Sequence, residues 1–115
     1  MNRKVLFFLI GLVFFALGPL GLYAAEIMQV TDSSTLLIGD QNRTYTVKIA
    51  CLEVDPSKED SIINFLKSDL PRHSRVNLKP KGSEQGVLIS KVILLGTNDD
   101  IGSKIVSKGW AKSAC

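Results

Sequence analysis

Five residues with basic side chains, Arg72, His73, Arg75, Lys79 and Lys81, fall within ten positions, and the chemistry they offer together is recognition of anions. From Arg75 to Lys81 the chain alternates, with Val76, Leu78 and Pro80 in one set and Arg75, Asn77, Lys79 and Lys81 in the other. That pattern predicts a strand with one apolar and one basic face. Alternate residues of a strand stand ~6.6 Å apart, close to the repeat of a single-stranded nucleic-acid backbone. Arg72, Arg75, Lys79 and Lys81 are therefore the candidate contacts to nucleic acid or another polyanion. The competing reading is a solvated strand face whose charges discourage edge pairing. No aromatic residue interleaves the stripe to provide stacking platforms, so any such binding is expected to be weak and salt-sensitive. His73, alone between two arginines, reads as a loop residue.

Cys51 and Cys115 are the only cysteines. They read either as a disulfide, in an oxidising compartment, or as a small core residue and a free thiol. With no histidine at ligand spacing they make no zinc site. No cofactor is expected from them.

The compartment is suggested by the start of the chain. Arg3 and Lys4 precede an uncharged run from Val5 to Ala25, rich in Leu, Phe, Ile and Val and interrupted by Gly18-Pro19 and Gly21. This is the pattern of a secretory signal, and it is also long enough to span a bilayer. Residues 1–25 are thus a cleaved signal peptide or a retained membrane anchor, and both imply export to a periplasmic, extracellular or other extracytoplasmic space. If retained, the segment makes the membrane itself a partner. What remains, residues 26–115, suffices for one small domain and leaves no room for two. Of the 14 Lys and Arg, Arg3 and Lys4 lie in the leader, and 11 Asp and Glu nearly balance the others. A general affinity for polyanions is excluded, and any basic surface has to be local.

The elements that would position these residues follow from local pattern. Glu26–Thr31 and Thr35–Gly39 read as strands joined by the turn Asp32-Ser33-Ser34, and a second polar turn leads into a strand over Thr44–Leu52. In that strand Tyr45, Val47, Ile49 and Cys51 share one face and Lys48 points the other way. Ser57 with Asp60 resembles a capping box for a helix whose apolar face is Ile62, Ile63, Phe65, Leu66 and Leu70. Strands over Arg75–Lys81 and Val87–Leu95 follow, then a short helix over Ile101–Lys108 capped by Asn98-Asp99-Asp100 and stopped at Gly109. Five short strands, a helix after the third and a short C-terminal helix predict a mainly β (α+β) domain. The architecture expected is a five-stranded Greek-key barrel of the OB-fold type.

The segment Tyr45 to Pro56, Y-T-V-K-I-A-C-L-E-V-D-P, resembles the active-site strand and loop of the staphylococcal-nuclease-like (thermonuclease) family, roughly V-R-L-x-x-I-D-x-P-E. Similar pieces recur in order: V-T-D-S-S-T for V-x-D-G-D-T, G-S-E-Q-G-V for a turn written D-x-Y-G-R, and G-W-A for G-L-A. The resemblance implies an OB-type barrel and a site built for Ca²⁺-assisted phosphodiester hydrolysis. Carried over residue by residue, Lys48 takes the place of a catalytic Arg and Glu53 that of a metal-binding Asp. Asp32 and Ser34 stand for a pair of metal carboxylates, and Val87 for a second Arg. No Glu occupies the general-base position after Pro56. Glu59 or Asp60 is a displaced substitute, although acids there ordinarily serve the helix N-terminus.

Hydrolysis of this kind needs a hard cation, a base to aim water, and cationic donors for the developing phosphoryl charge. A hydroxyl is a far poorer Ca²⁺ ligand than a carboxylate. Lysine lacks the fork that grips phosphate. The expectation is a catalytically degenerate domain, free of cofactors, that serves as a binding or interaction module for a polyanion or a protein. The alternative is a divergent Ca²⁺-dependent nuclease whose catalytic residues are Lys48 and Glu53 and whose metal site is Asp32, Ser34 and Glu53.

Overall fold

A computed structural model describes residues 25–115. The signal or anchor assigned to residues 1–25 lies, apart from Ala25, outside the described residues. Among those described, no helix is long and apolar enough to cross a membrane.

The chain forms β1 (Ala25–Asp32), β2 (Thr35–Asp40), β3 (Arg43–Ile49) and β4 (Leu52–Val54), then a short 3₁₀ turn (Pro56–Lys58) and helix α1 (Glu59–Asp69). The order continues with β5 (Arg75–Glu84), β6 (Val87–Leu94), β7 (Asp99–Asp100), α2 (Ile101–Ser107) and β8 (Ala111–Ser113). Strands β3, β2, β1, β5 and β6 are neighbours in that order, each antiparallel to the next. A parallel pairing of β3 with β6, Val47 opposite Leu88 through Ile49 opposite Ser90, joins the two ends. The result is a mainly β, OB-like structure, a closed five-strand barrel with two short helices. β7 extends the sheet beside β6, and β4 pairs with β8 as a separate ribbon.

Period-two alternation decides which side chains fill the barrel. Ala25 and Ile27, Leu36 and Ile38, Val47 and Ile49, Val76, and Ser90 and Val92 are all buried. On α1, Ile62 and Leu66 are fully buried four residues apart, with Leu70 one turn further. Burying each such side chain contributes about 1.5–3 kcal/mol. Ser90 is the polar member of the inward set, and its hydroxyl donates to the Lys91 carbonyl at 2.8 Å.

Several expected boundaries are corrected. The strand expected over Thr44–Leu52 breaks after Ile49, where Cys51 takes a positive φ of 63° and the chain turns into β4. Helix initiation does not use a Ser57 capping box. Asp55 accepts the Ser57 N–H at 3.0 Å and its hydroxyl at 2.9 Å and so caps the 3₁₀ turn, which leads into α1 through Lys58 without a side-chain cap. β1 starts at Ala25, one residue early, and β5 runs on to Glu84 to pair fully with β6. Cys51 and Cys115 are joined by a disulfide with their Cα atoms 4.7 Å apart, which ties the ribbon's far side to the end of β3.

Candidate polyanion-binding face

Two regions collect the residues singled out by sequence. The first is the β1–β2 turn. Asp32 accepts the Ser34 N–H at 2.9 Å and the Ser34 hydroxyl at 3.5 Å, so the acid and hydroxyl matched to a metal pair bond to each other. The Ser34 carbonyl accepts the Ile49 N–H at 2.8 Å, fastening the turn to the end of β3. Ser33, buried, donates to Glu59 Oε1 at 3.3 Å, and this brings the first residue of α1 onto the same turn. Lys48 sits opposite Thr35 on β2 and is exposed. The structure therefore gathers Asp32, Ser34, Glu59 and Lys48 around one turn.

Glu53 is not held with them. It lies exposed on β4, opposite Lys112 of β8, and no hydrogen bond or ion pair joins it to Asp32, Ser34 or Lys48. Asp60 is exposed on α1. Asp55 is engaged by the Ser57 backbone N–H and hydroxyl, which hold its carboxyl below its ordinary range and make it a poor base. Among the described residues, no group of three or more His, Cys, Asp or Glu is arranged to hold a metal ion.

The second region is the outer face of β3, β6 and β5, where the basic residues regroup. Alternation carries Arg75, Asn77 and Lys79 outward as expected, but the register slips between Pro80 and Gly82 and leaves Lys81 as an extra residue in a bulge. Proline has no N–H for the ladder, which accounts for a bulge at that position. Lys81 is exposed and lies with Gly82 opposite Ile89, so the bulge interrupts the even spacing of the stripe after Lys79. Arg75 stands opposite Glu26, whose carboxylate also lies 3.3 Å from His73 Nδ1, so an acid offsets the positive charge at that end. Arg72 is exposed in the loop after α1, beside Lys67 and Leu70 on a different groove. Val87 begins β6 opposite Glu84.

What the strands assemble instead is a lysine row. Lys79 on β5 is directly opposite Lys91 on β6, and Lys48 on β3 is opposite Ile89, two residues before Lys91 on the same outer face. Direct cross-strand side chains start ~4.5–5.5 Å apart and diagonal ones ~7–8 Å apart. Three cations are thus held close together with the half-exposed Ile89 among them. Of the three, Lys91 alone forms an ion pair among the described residues, with Asp100 at 4.0 Å. Like charges opposite one another are unfavourable, so this arrangement is one that an anion would relieve. Lys91 was missed because its strand reads as a nearly continuous apolar run. Its odd parity with Val87 and Ile89 would have placed it outside, but not beside Lys79.

No protein-family model matches the chain, and no curated protein matches it.

Proposed function

We propose that this protein is an exported, catalytically degenerate barrel of the staphylococcal-nuclease-like type, with OB-fold Greek-key topology, that binds polyanions such as single-stranded nucleic acid. The observation that carries this reading is the row of Lys48, Lys91 and Lys79 across three adjacent strands. Binding there is electrostatic, because no aromatic side chain stands among the lysines to stack on bases. Three phosphate contacts on a single strand give a salt slope of about −2, so affinity should fall roughly 20-fold between about 50 and 200 mM salt. The test is a salt series of oligonucleotide and heparin binding to the protein and to its Lys48→Ala/Lys79→Ala/Lys91→Ala variant. The variant should lose most of the slope; an unchanged slope would place the anion elsewhere.

A second reading rests on Glu59. Its bond to Ser33 brings a carboxylate to the turn that bears Asp32, which is the acid pair a divergent Ca²⁺-dependent nuclease would need. In that enzyme Asp32 and Glu59 would carry the metal, with Lys48 the cationic donor for the phosphoryl oxygens. A nuclease assay with and without Ca²⁺ on single- and double-stranded substrates separates the readings. The first expects no appreciable cleavage, and the second expects Ca²⁺-dependent cleavage abolished by Glu59→Gln and Lys48→Ala.

A further inference from the structure

The barrel has a cavity at one end that neither reading uses. It has a volume of about 480 Å³ and is lined by Ala25, Asp40, Tyr45, Leu78, Pro80 and Leu88, which come from all five barrel strands and from no helix. Each lies on the inward set of its strand. Ala25 is two residues before buried Ile27, Asp40 two after Ile38, and Tyr45 two before Val47. Leu78 and Pro80 continue the parity of Val76, and Leu88 that of Ser90 and Val92. The floor is therefore hydrocarbon, and two polar groups, a carboxylate and a phenol, point in from β2 and β3.

Asp40 is the unusual member. It is half-buried where β2 ends, and a carboxylate partly withdrawn from water on the inward face of a barrel favours a cationic partner. Among the described residues, the Asp40 carboxylate has neither a hydrogen-bond donor nor an ion-pair partner. Its cross-strand neighbour, Arg43, lines a separate outer groove with Glu26 and Met28. Burial first and Asp40 next raise the pKa of Tyr45, against a smaller lowering by Arg43, so the phenol stays a neutral donor and acceptor. The cavity size falls within the range that holds small molecules, and an apolar wall with few polar groups is the usual make-up of such sites.

We infer that this barrel mouth binds a small amphipathic cation, an organic amine with an apolar body, whose hydrocarbon rests on Leu78, Pro80 and Leu88 and whose ammonium meets Asp40 and the Tyr45 hydroxyl. The charge chooses among candidate ligands. A carboxylate or phosphate would be repelled by Asp40, and a neutral apolar molecule would leave the acid unpaired. The site is distinct from the lysine row, which lies on the outer surface and selects the opposite charge, so the two inferences stand or fall separately.

The test is calorimetric titration of phenylbutylamine, phenylbutanol and phenylbutyrate into the protein carrying the N-terminus that the cell gives it. Because hydrogen bonds to charged groups contribute more than neutral ones, the amine should bind at least ~10-fold more tightly than the alcohol or the acid. Asp40→Asn should bring the amine down to the level of the alcohol while leaving alcohol binding unchanged, and Tyr45→Phe should weaken the amine less. NMR methyl signals of Leu78 and Leu88 should shift on binding. No amine binding up to about 10 mM, equal binding of all three compounds, or an Asp40→Asn variant that binds the amine normally would each overturn the inference. Equal binding is also what a free ammonium at residue 25, already neutralising Asp40, would produce.

Discussion

Removing the Cys51–Cys115 bond by the double substitution Cys51→Ser/Cys115→Ser should destabilise the domain by an amount set by the loop it closes. The cysteines are 64 positions apart, and in the chain-entropy model a loop of that size restrains the unfolded state by ~4 kcal/mol. A domain of this size has a total stability of roughly 5–14 kcal/mol, so the loss is a large fraction of it. At about 4–8 °C per kcal/mol for a domain under 100 residues, the melting temperature should fall by ~15–30 °C. Backbone geometry adds an internal control. Cys51 holds φ at 63°, a conformation that costs a residue with a Cβ about 1–2 kcal/mol and glycine almost nothing. Cys51→Gly/Cys115→Ser should therefore be more stable than the double serine variant, by ~1 kcal/mol. Thermal and urea melts followed by circular dichroism measure both differences. A double serine variant melting within about 5 °C of the parent would refute the loop-closure argument. Equal stability of the glycine and serine variants would refute the strain argument at residue 51.

Three further outcomes are expected. Leu66→Ala removes a fully buried side chain on the inner face of α1 and should cost ~2–5 kcal/mol in urea melts, with the slope unchanged. Gly109 ends α2 at φ 78° with open space around it, so Gly109→Ala should cost ~1 kcal/mol from the backbone alone, read from the melting temperature. Asp99 accepts from Lys104, whose Nζ lies 3.1 Å from Asp99 Oδ2 and 2.9 Å from Asp69 Oδ2. Those bonds, that from Lys104 first and that from Thr97 next, hold the Asp99 carboxyl below its ordinary 3.8. A pKa lowered by folding means stabilisation that is present above the unfolded value and lost as pH falls through the folded one. The parent should therefore weaken below about pH 4, and Asp99→Asn should weaken less steeply there in acid titration melts.

Much of the barrel was legible because its signal is local. Alternation from Tyr45 to Ile49 and from Val76 to Leu78 named inward residues, and the apolar spacing of Ile62, Leu66 and Leu70 named the helix. Asp100 and Gly109 marked the two ends of α2, and the Asp100 carboxylate accepts the Ser103 N–H at 3.3 Å. The misreadings arose where long-range contacts overrule local pattern. Cys51 continues the apolar alternation of β3, yet the chain turns there because β4 has a partner, β8, some sixty residues away. The bulge at Lys81 follows from the pairing of Pro80 with Ser90, a register that neither strand announces. The candidate site shows the same division. The Asp32-Ser33-Ser34 turn was readable, whereas its bond to Glu59 and the meeting of Lys48, Lys79 and Lys91 depend on how the strands close.

That closure also bears on how the chain finds its shape. β1, β2 and β3 form one run of hairpins and β5 with β6 another, and each can assemble from contacts near in sequence. The two seams, Ala25 with Val76 and Val47 with Leu88, bring together residues roughly forty to fifty positions apart. Non-local pairings pay their loop entropy before they are rewarded, so the seams rather than the hairpins should set the folding rate. Cys51 lies at the end of the first run and Cys115 beyond the second. The bond closes a loop around the second run and fixes its far end to the end of the first, so oxidation ahead of closure should shorten the search for the Val47–Leu88 seam, and the oxidised chain should refold faster than the reduced one, and not only unfold at a higher temperature.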